Sequence, residues 1–232
     1  MKNHFLVLIA LVATLQTNAQ RKDYLLTIKT NKGQAHMVLY DETPLHKANF
    51  LKLVKEHYYD SLLFHRVIEK FMIQGGDPNS KGAKEGARLG SGGGNLEKIP
   101  FEFTPTRVHK KGALAAARDN NPEKKSSAVQ FYIVQGRKLS DDEVSKVEKT
   151  NNITYTNQQR ADYVSVGGTP SLDNKYTVFG EVVDNLKLID EIAAVEKDEN
   201  DRPRENVSMI ITAKKVRKKK ITRLYGYAYE KK

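Results

Sequence analysis

The sequence predicts a mainly β fold, a barrel or sandwich with two helices at its periphery. Apolar and polar residues alternate in short runs, as in Leu26, Thr27, Ile28 and Lys29, and a period of two is typical of a half-buried strand. Turn residues such as 31–33 separate these runs, and strand-like runs outnumber helical ones. Many short strands joined by turns favour a β-barrel or a sandwich.

The remaining strand-like segments are short and apolar or alternating. They are Gln34 to Tyr40, Leu62 to Ile68, Phe71 to Gly75, Lys111 to Ala117, Val129 to Val134, Tyr176 to Val183 and Val207 to Val216.

Two segments are predicted to be helical. Thr43 followed by Pro44 is typical of a helix start, with an N-cap residue and proline at the first helical position. The apolar face of this helix is expected to consist of Leu45, Ala48, Leu51 and Val54. Residues 186–195 predict a second, short helix.

The first nineteen residues are predicted to be a secretory signal peptide. Lys2 gives a positive start, an apolar run follows from Phe5 to Leu15, and small residues occupy 17–19 before Gln20. The alternative is a membrane anchor, but the run is far shorter than the roughly 20 apolar residues that a spanning helix needs. We therefore expect export to the periplasm or the medium, with Gln20 as the first mature residue.

Composition limits the chemistry. The chain has no cysteine, which excludes disulfides, thiol catalysis and thiolate metal sites. Its formal charge of +11 is concentrated near the C-terminus, between Lys214 and Arg223. For an exported chain this favours weak contact with anionic surfaces over a specific nucleic acid, although a solvated basic tail explains it equally.

One domain is expected after the signal peptide, spanning 20–216, with a basic tail at 217–232. Within it, the segment 137–169 is rich in Gln, Asn and Asp. It is interpreted as a polar, partly helical insertion, with a helix start near 141–143 and too few apolar residues for a core of its own.

The segment Phe64 to Asp77 contains the most informative residues. Arg66 lies among apolar neighbours, where a partly buried guanidinium requires a specific acceptor. Gln74 lies eight residues later, at a spacing that lets neighbouring strands place both side chains on one face, with Phe71 and Met72 as apolar walls. A pocket with an arginine, an amide and an aromatic floor, but no nucleophile or paired carboxylates, indicates recognition of an amide.

Four motifs in order give this chain a family resemblance: FHRVIEKFMIQGGDP, GALAAARD, VQFYIVQG and LDNKYTVFGEVV. They resemble the cyclophilins, and bacterial exported members most of all, from Tyr24 to about Val216. The resemblance implies a closed eight-stranded antiparallel β-barrel capped by two α-helices, and peptidyl-prolyl cis/trans isomerase activity without a cofactor or metal.

The resemblance also implies roles for individual residues. Arg66, Phe71 and Gln74 match the catalytic set, with the arginine donating a hydrogen bond to the prolyl nitrogen of the twisted amide. The residues that match the substrate-binding set are Met72, Gly90, Ala117, Arg118, Gln130, Tyr132, Leu172 and Tyr176. Proline-containing polypeptides are the implied substrates.

Four positions depart from the family's usual residues. Arg118 stands where Asn is usual, Tyr132 where Phe is usual, Ser171 where many members have Trp, and Tyr176 where many have His. Altered peptide preference, altered binding of cyclosporin-like ligands, or a binding module with little catalysis are therefore alternatives, as is a scaffold protein that acts through its basic tail.

Three other features have ordinary explanations. His65 is expected to be a structural hydrogen-bonding residue, since no second histidine stands at a metal-ligand spacing. The glycine run 90–94 lacks the Gly-Lys-Ser/Thr ending of a phosphate loop and is predicted to be flexible. The acidic residues 198–201 are predicted to form a turn, because Arg202-Pro203 interrupts a calcium-loop pattern.

Overall fold

The computed structural model describes residues 21–229, which contain one antiparallel sheet, five α-helices and two 3₁₀ turns. The strands are β1 Lys22–Thr30, β2 Gly33–Leu39, β3 Leu62–Leu63, β4 Arg66–Ile68, β5 Met72–Gly75, β6 Ala113–Ala116, β7 Phe131–Val134, β8 Val178–Val182 and β9 Ser208–Arg217. The helices are α1 Pro44–Lys55, α2 Asp141–Asn151, α3 Asn157–Ser165, α4 Lys187–Ala193 and α5 Lys218–Tyr225. The 3₁₀ turns are Pro78–Ser80 and Pro170–Leu172.

The nine strands form a sheet in the order β3-β9-β1-β2-β8-β6-β7-β5-β4. The sheet curls into a half-barrel, so the expectation of a closed eight-stranded barrel is wrong. The physical reason lies in the segment 62–68, for which the sequence predicts one strand. There the strand is interrupted at Phe64 and His65, and the pairing partner changes. The backbone amide of Phe64 donates to Val207 O (2.9 Å), whereas that of His65 donates to Gln74 O (3.0 Å). The two edge strands therefore follow each other directly in the chain but pair with different partners.

The predicted first hairpin is confirmed. Leu26 pairs with Met37 and Ile28 with Ala35, and all four side chains are buried. β1 also pairs along its whole length with β9, from Lys22 opposite Arg217 to Thr30 opposite Met209. The alternation of the sequence fixes which face each side chain occupies, because successive strand residues point to opposite sides.

The main core lies on one face of the sheet and includes buried residues of α1 and α4. Phe50 of α1 stands at its centre, with ring centroids 5.0 Å from Tyr59, 5.5 Å from Phe131 and 5.2 Å from Phe179. α4 adds four buried residues: Leu188, Ile189, Ile192 and Ala193. Such aromatic contacts stabilise a core beyond their area burial.

The predicted start of α1 at Pro44 is confirmed, but its predicted apolar face is wrong in the first two turns. Leu45 is 50% exposed and Ala48 is also exposed, whereas His46 is buried. The reason is Glu102, whose carboxylate accepts from the backbone amides of Leu45 (3.0 Å) and His46 (2.9 Å) and lies 2.6 Å from His46 Nδ1. These contacts satisfy Nδ1 and the backbone amide of the buried histidine, whereas its Nε2 has no hydrogen-bond partner among the described residues.

The insertion 137–169 has more structure than its polarity suggests. Both of its helices begin with a capping box: Ser140 with Glu143 in α2, and Thr156 with Gln159 in α3. A small apolar cluster forms from Val108, Leu139, Val144, Tyr155 and Tyr163. The expectation that the insertion lacks apolar residues for a core is therefore wrong, because two tyrosines supply much of that core.

The basic C-terminal segment is folded as far as it is described. Lys214–Arg217 complete β9, and α5 follows with Ile221 fully buried. Tyr227 packs against the sheet's second apolar cluster. A purely solvated tail is therefore excluded for residues up to 229, although most of its basic side chains point to solvent. No helix within 21–229 has the length and apolarity to span a membrane.

Candidate active site

Three neighbouring strands place the predicted site residues on the face of the sheet opposite the main core. Arg66 of β4 lies opposite Gln74 of β5, and Gln74 lies opposite Tyr132 of β7. Strand alternation sends Phe131 and Ile133 into the main core, whereas Tyr132 packs in a second cluster with Met72. The register of β4, β5 and β7 therefore determines that Arg66, Gln74 and Tyr132 lie side by side on one face.

Arg66 is at one end of a chain of polar contacts. Its Nη1 lies 3.5 Å from Gln74 Oε1, and Gln74 Nε2 donates to Gln130 Oε1 at 3.1 Å. Gln130 Nε2 in turn donates to the carbonyl oxygens of Gly90 (3.0 Å) and Gly92 (2.9 Å). These bonds fix the orientation of both amides.

The Arg66 side chain is more open than the sequence indicates, with 44% of it exposed. Asp201 lies on its other side, with Oδ2 4.0 Å from Arg66 Nε. Asp201 belongs to the predicted turn 198–201, which the structure confirms through the bond from Asp201 N to Asp198 O (3.1 Å). The guanidinium is therefore held between an amide and a carboxylate while most of its donors remain available.

A buried aspartate fixes the glycine loop beside the groove. Asp77 is fully buried and accepts from the backbone amides of Asn79 (2.7 Å) and Gly90. A Cβ on Gly92 would lie 1.9 Å from Asp77 Oδ1, and Gly76 has φ +91° with only 2.2 Å between its hypothetical Cβ and Val129 O. Glycine is required at these two positions because the backbone approaches so closely.

A cavity of about 170 Å³ opens at this face. Tyr132 forms its floor, and the ring of Tyr176 stands edge-on to that of Tyr132, with 6.0 Å between centroids. The residues that line the cavity are Arg66, Phe71, Met72, Gln74, Ala117, Arg118, Tyr132, Leu172 and Tyr176. All but two of the residues predicted for the site therefore meet in one cavity.

The other two, Gly90 and Gln130, line an adjoining cavity of about 210 Å³, which shares Gln74, Ala117 and Arg118 with the first. The second cavity also contains residues that sequence reasoning missed: Lys98, Asp119 and Ser127. Lys98 Nζ is 2.6 Å from Asp119 Oδ2. No local pattern connects positions 98 and 119, so only the fold reveals this pair.

Arg118 lies between the two cavities. Its Nε donates to Lys175 O at 3.1 Å, and its guanidinium carbon is 4.8 Å from the centroid of the Tyr176 ring. This cation–π contact fixes the side chain across one side of the groove. Position 118 therefore carries a long, positively charged side chain in place of the expected asparagine.

His65 is buried, and the backbone of Leu63 is a hydrogen-bonding neighbour of its ring, so its expected structural role stays a prediction. Its side chain is 3% exposed, and neither ring nitrogen makes a hydrogen bond of good geometry within residues 21–229. The Nε2 atom lies 3.7 Å from the position that a Cβ of Gly90 would occupy. Burial lowers the pKa of His65 to about 4, so the ring is neutral at physiological pH.

Comparison with known families decides the kinship of the chain. The family model described as cyclophilin type peptidyl-prolyl cis-trans isomerase/CLD matches residues 25–214. The chain belongs to the cyclophilin-type isomerases. The match spans the whole sheet apart from the first residues of β1 and the last of β9, and it includes every residue of the two cavities.

Curated relatives agree with this assignment. The cyclophilin described here is 31% identical to a "Putative peptidyl-prolyl cis-trans isomerase" of Staphylococcus saprophyticus, over 84% of this chain and 93% of the relative. It is 40% identical to a "Putative bifunctional phosphatase/peptidyl-prolyl cis-trans isomerase" of Streptococcus pyogenes over 78% of this chain. The chain spans only 36% of the length of that streptococcal protein.

Solved structures show the same fold. A crystal structure of a Cryptosporidium parvum cyclophilin type peptidyl-prolyl cis-trans isomerase matches with a TM-score of 0.60 at 21% identity, covering 83% of this chain and 98% of that one. The cyclophilin AquaCyp293 from Hirschia baltica matches with a TM-score of 0.54 at 18% identity, over 85% of this chain and 77% of that one. The predicted kinship is therefore confirmed, while the roles of individual residues stay predictions.

Proposed function

We propose that this cyclophilin accelerates rotation about the peptide bond that precedes proline, with Arg66 as the group that stabilises the transition state. The carrying observation is the cavity of about 170 Å³, in which the Arg66 guanidinium and the Gln74 amide lie beside an apolar floor large enough for a proline ring, with Gln130 bonded to Gln74 from the adjoining cavity. Proline-containing polypeptides are the proposed substrates, and no cofactor or metal is required.

The chemistry follows from the amide itself. Resonance sets a rotational barrier of about 18–20 kcal/mol, and uncatalysed exchange at X–Pro bonds takes tens to hundreds of seconds. When the bond twists, resonance is lost and the prolyl nitrogen regains a lone pair. A guanidinium beside that nitrogen then donates a hydrogen bond that the planar ground state accepts poorly, and such differential stabilisation accelerates a reaction.

The remaining residues hold the substrate in place. Phe71, Met72 and Tyr132 enclose the proline ring, so that the carbonyl preceding it is the part that rotates. Gln74 and Gln130 present amide groups to the substrate backbone, and their orientation is fixed by the bonds to each other and to the glycine loop. Nothing in this scheme needs to titrate near neutral pH.

A solved relative supports the choice of substrate. The Cryptosporidium parvum isomerase was also crystallised in the presence of the dipeptide Ala-Pro, and that structure matches this chain with a TM-score of 0.58 at 21% identity. The likeness at this identity concerns the fold, so the transfer of ligand chemistry to this chain rests on the cavity described above.

Export remains part of the proposal. The sequence pattern at 1–19 lies outside the described residues, and it supports action on proteins in the periplasm or medium. The basic residues at the end of β9 and in α5 support a weak contact with anionic surfaces, because six of them are exposed: Lys214, Lys215, Arg217, Lys219, Lys220 and Arg223. No specific nucleic acid is proposed as a partner.

The second candidate function is a proline-peptide binding module or scaffold with little catalysis. Arg118 favours it, because the guanidinium fixed across the groove changes the surface that meets the residue before proline. The two functions differ in turnover. Exchange of an Ala-Ala-Pro-Phe peptide, measured by NMR with and without protein, accelerates for the isomerase and stays at the uncatalysed rate for a module that only binds.

A further inference from the structure

A buried polar network connects the floor of the proline cavity to the insertion. Tyr132 Oη lies 2.9 Å from His109 Nε2, and His109 Nδ1 lies 2.7 Å from Asp173 Oδ1. The same carboxylate receives the hydroxyls of Tyr155 (2.6 Å) and Tyr163 (2.5 Å) on Oδ2. All five side chains are more than nine-tenths buried.

The direction of each hydrogen bond follows from Asp173. An ionised carboxylate only accepts, and this one also accepts from the backbone amide of His109 at 2.8 Å. His109 Nδ1 must therefore carry the proton that it shares with Asp173, and in the tautomer protonated at Nδ1 the other nitrogen, Nε2, is the acceptor. The hydroxyl of Tyr132 then donates to Nε2.

This direction matters for the cavity. Because the Tyr132 hydroxyl proton points to His109, the ring presents an apolar surface to the proline. Burial further raises the pKa of Tyr132 well above its ordinary value, so the hydroxyl keeps its proton. Tyr132 thereby serves as a floor, provided that its hydroxyl has an acceptor behind it.

We propose that His109 and Asp173 are positioning residues that satisfy the Tyr132 hydroxyl away from the proline, and that Tyr155 and Tyr163 make the insertion part of this support. This inference rests on the proposed binding of proline in the cavity floored by Tyr132. Without His109, the hydroxyl would turn to water in the empty cavity, and proline would displace that water and leave the hydroxyl unpaired.

The experiment is a double-substitution cycle read by peptide affinity and turnover. His109→Leu should weaken binding of an Ala-Ala-Pro-Phe peptide and raise KM about tenfold, with kcat nearly unchanged, since the loss occurs when proline enters. Tyr132→Phe removes the hydroxyl but keeps the ring, so its measured affinity is the reference for the double variant. The double variant His109→Leu/Tyr132→Phe should recover the affinity, because no hydroxyl remains to be satisfied.

Tyr163→Phe tests the contribution of the insertion, and it should weaken peptide binding about threefold because Asp173 retains its other donors. Tyr225→Phe on α5 is the matched control and should have no effect. All variants are checked for cooperative unfolding, and Tyr163→Phe, which loses one hydroxyl only, keeps the test open if His109→Leu does not fold.

The outcomes are separable. A wild-type protein that binds the peptide without turnover removes the proposed catalysis, while the affinity cycle still tests the network. Equal losses in His109→Leu and in the double variant would show that His109 serves stability alone and would overturn the inference. Wild-type affinity in both His109→Leu and Tyr163→Phe would overturn it as well.

Discussion

The buried ring of His65 should make the stability of the protein depend on pH in a defined window. Burial lowers the pKa of this histidine from 6.5 to about 4. Asp77 and a backbone hydrogen bond with Leu63 oppose this shift of the pKa, and Arg66 and Arg202 add to it. Between these two values the unfolded chain binds a proton that the folded chain does not, so the free energy of unfolding rises with pH. The stabilisation that the neutral His65 ring contributes is therefore fully present above about pH 6.5 and is lost as the pH falls to about 4.

The magnitude follows from the gap between the two pKa values. A difference of about 2.5 pH units, at about 1.36 kcal/mol for each, gives a loss of roughly 3 kcal/mol across the window. The 3% exposure of the side chain means that solvent screens little of this effect. Such a loss is a large part of the stability of an ordinary domain, which is about 5–15 kcal/mol.

Urea unfolding followed by circular dichroism between pH 4 and 7 measures the effect, with His65→Gln as the test variant. The variant should lose roughly 3 kcal/mol less than wild type on acidification. His57→Gln is the control, because that side chain is 73% exposed and should leave the wild-type slope unchanged. If wild type and His65→Gln lose the same free energy between pH 6.5 and 4, the ring is not held neutral by burial and the reasoning fails.

Three further predictions concern the segments outside the cavity. Replacing 140–166 with a short loop should leave cooperative unfolding but lower the free energy of unfolding by about 3–5 kcal/mol, since the buried side chains of Tyr155 and Tyr163 are lost. A variant that fails to fold, seen as an absent urea transition, would contradict this. Anionic vesicles should bind the protein at low salt and release it at high salt. Substituting Lys219, Lys220 and Arg223 with Gln should weaken binding in a sedimentation assay, because half of the exposed basic side chains are removed; equal binding by that variant would refute a role for the tail. Edman sequencing of the exported protein should begin at Gln20, and a soluble form that retains Met1 would contradict export.

The sheet could largely be predicted from the sequence, because alternation and turn residues act locally. Leu26 and Ile28 are buried on one face as their spacing indicates. The strand order and the open edge of the sheet could not be predicted, because they depend on the interruption between β3 and β4, which follows Leu63. Two residues without a distinct local signal, Phe64 and His65, carry the chain from one edge strand to the other.

The errors in the helices have a common cause, which is that polar residues become buried when distant partners satisfy them. His46 is buried through Glu102, and neither the helix period nor the local composition indicates that contact. The helix α3 was missed although Thr156 and Gln159 have the spacing of a capping box. Its Tyr163 joins a core because Asp173, outside the insertion, accepts its hydroxyl.

The cavity was predictable through its motifs, whereas its support was not. Arg66 and Gln74 lie on neighbouring strands at the expected spacing and face each other. His109 and Asp173 are 64 positions apart, so no local pattern joins them. One signal was present: a tyrosine at 132 in place of the usual phenylalanine introduces a buried hydroxyl, and such a hydroxyl requires a partner.

The central claim is that Arg66 stabilises the twisted amide more than it binds the peptide. NMR exchange and titration of one Ala-Ala-Pro-Phe peptide measure the rate and the affinity in the same samples of wild type, Arg66→Ala and Arg66→Lys, with Arg223→Ala as the control. Arg66→Ala should lose about 10²–10³-fold in exchange rate, by analogy with removal of one transition-state donor, and much less in affinity, because Phe71, Met72 and Tyr132 still enclose the ring. Arg66→Lys should recover little, since an ammonium lacks the planar fork. An Arg66→Ala variant that isomerises the peptide as fast as wild type, or a wild type that does not accelerate exchange, would contradict the account.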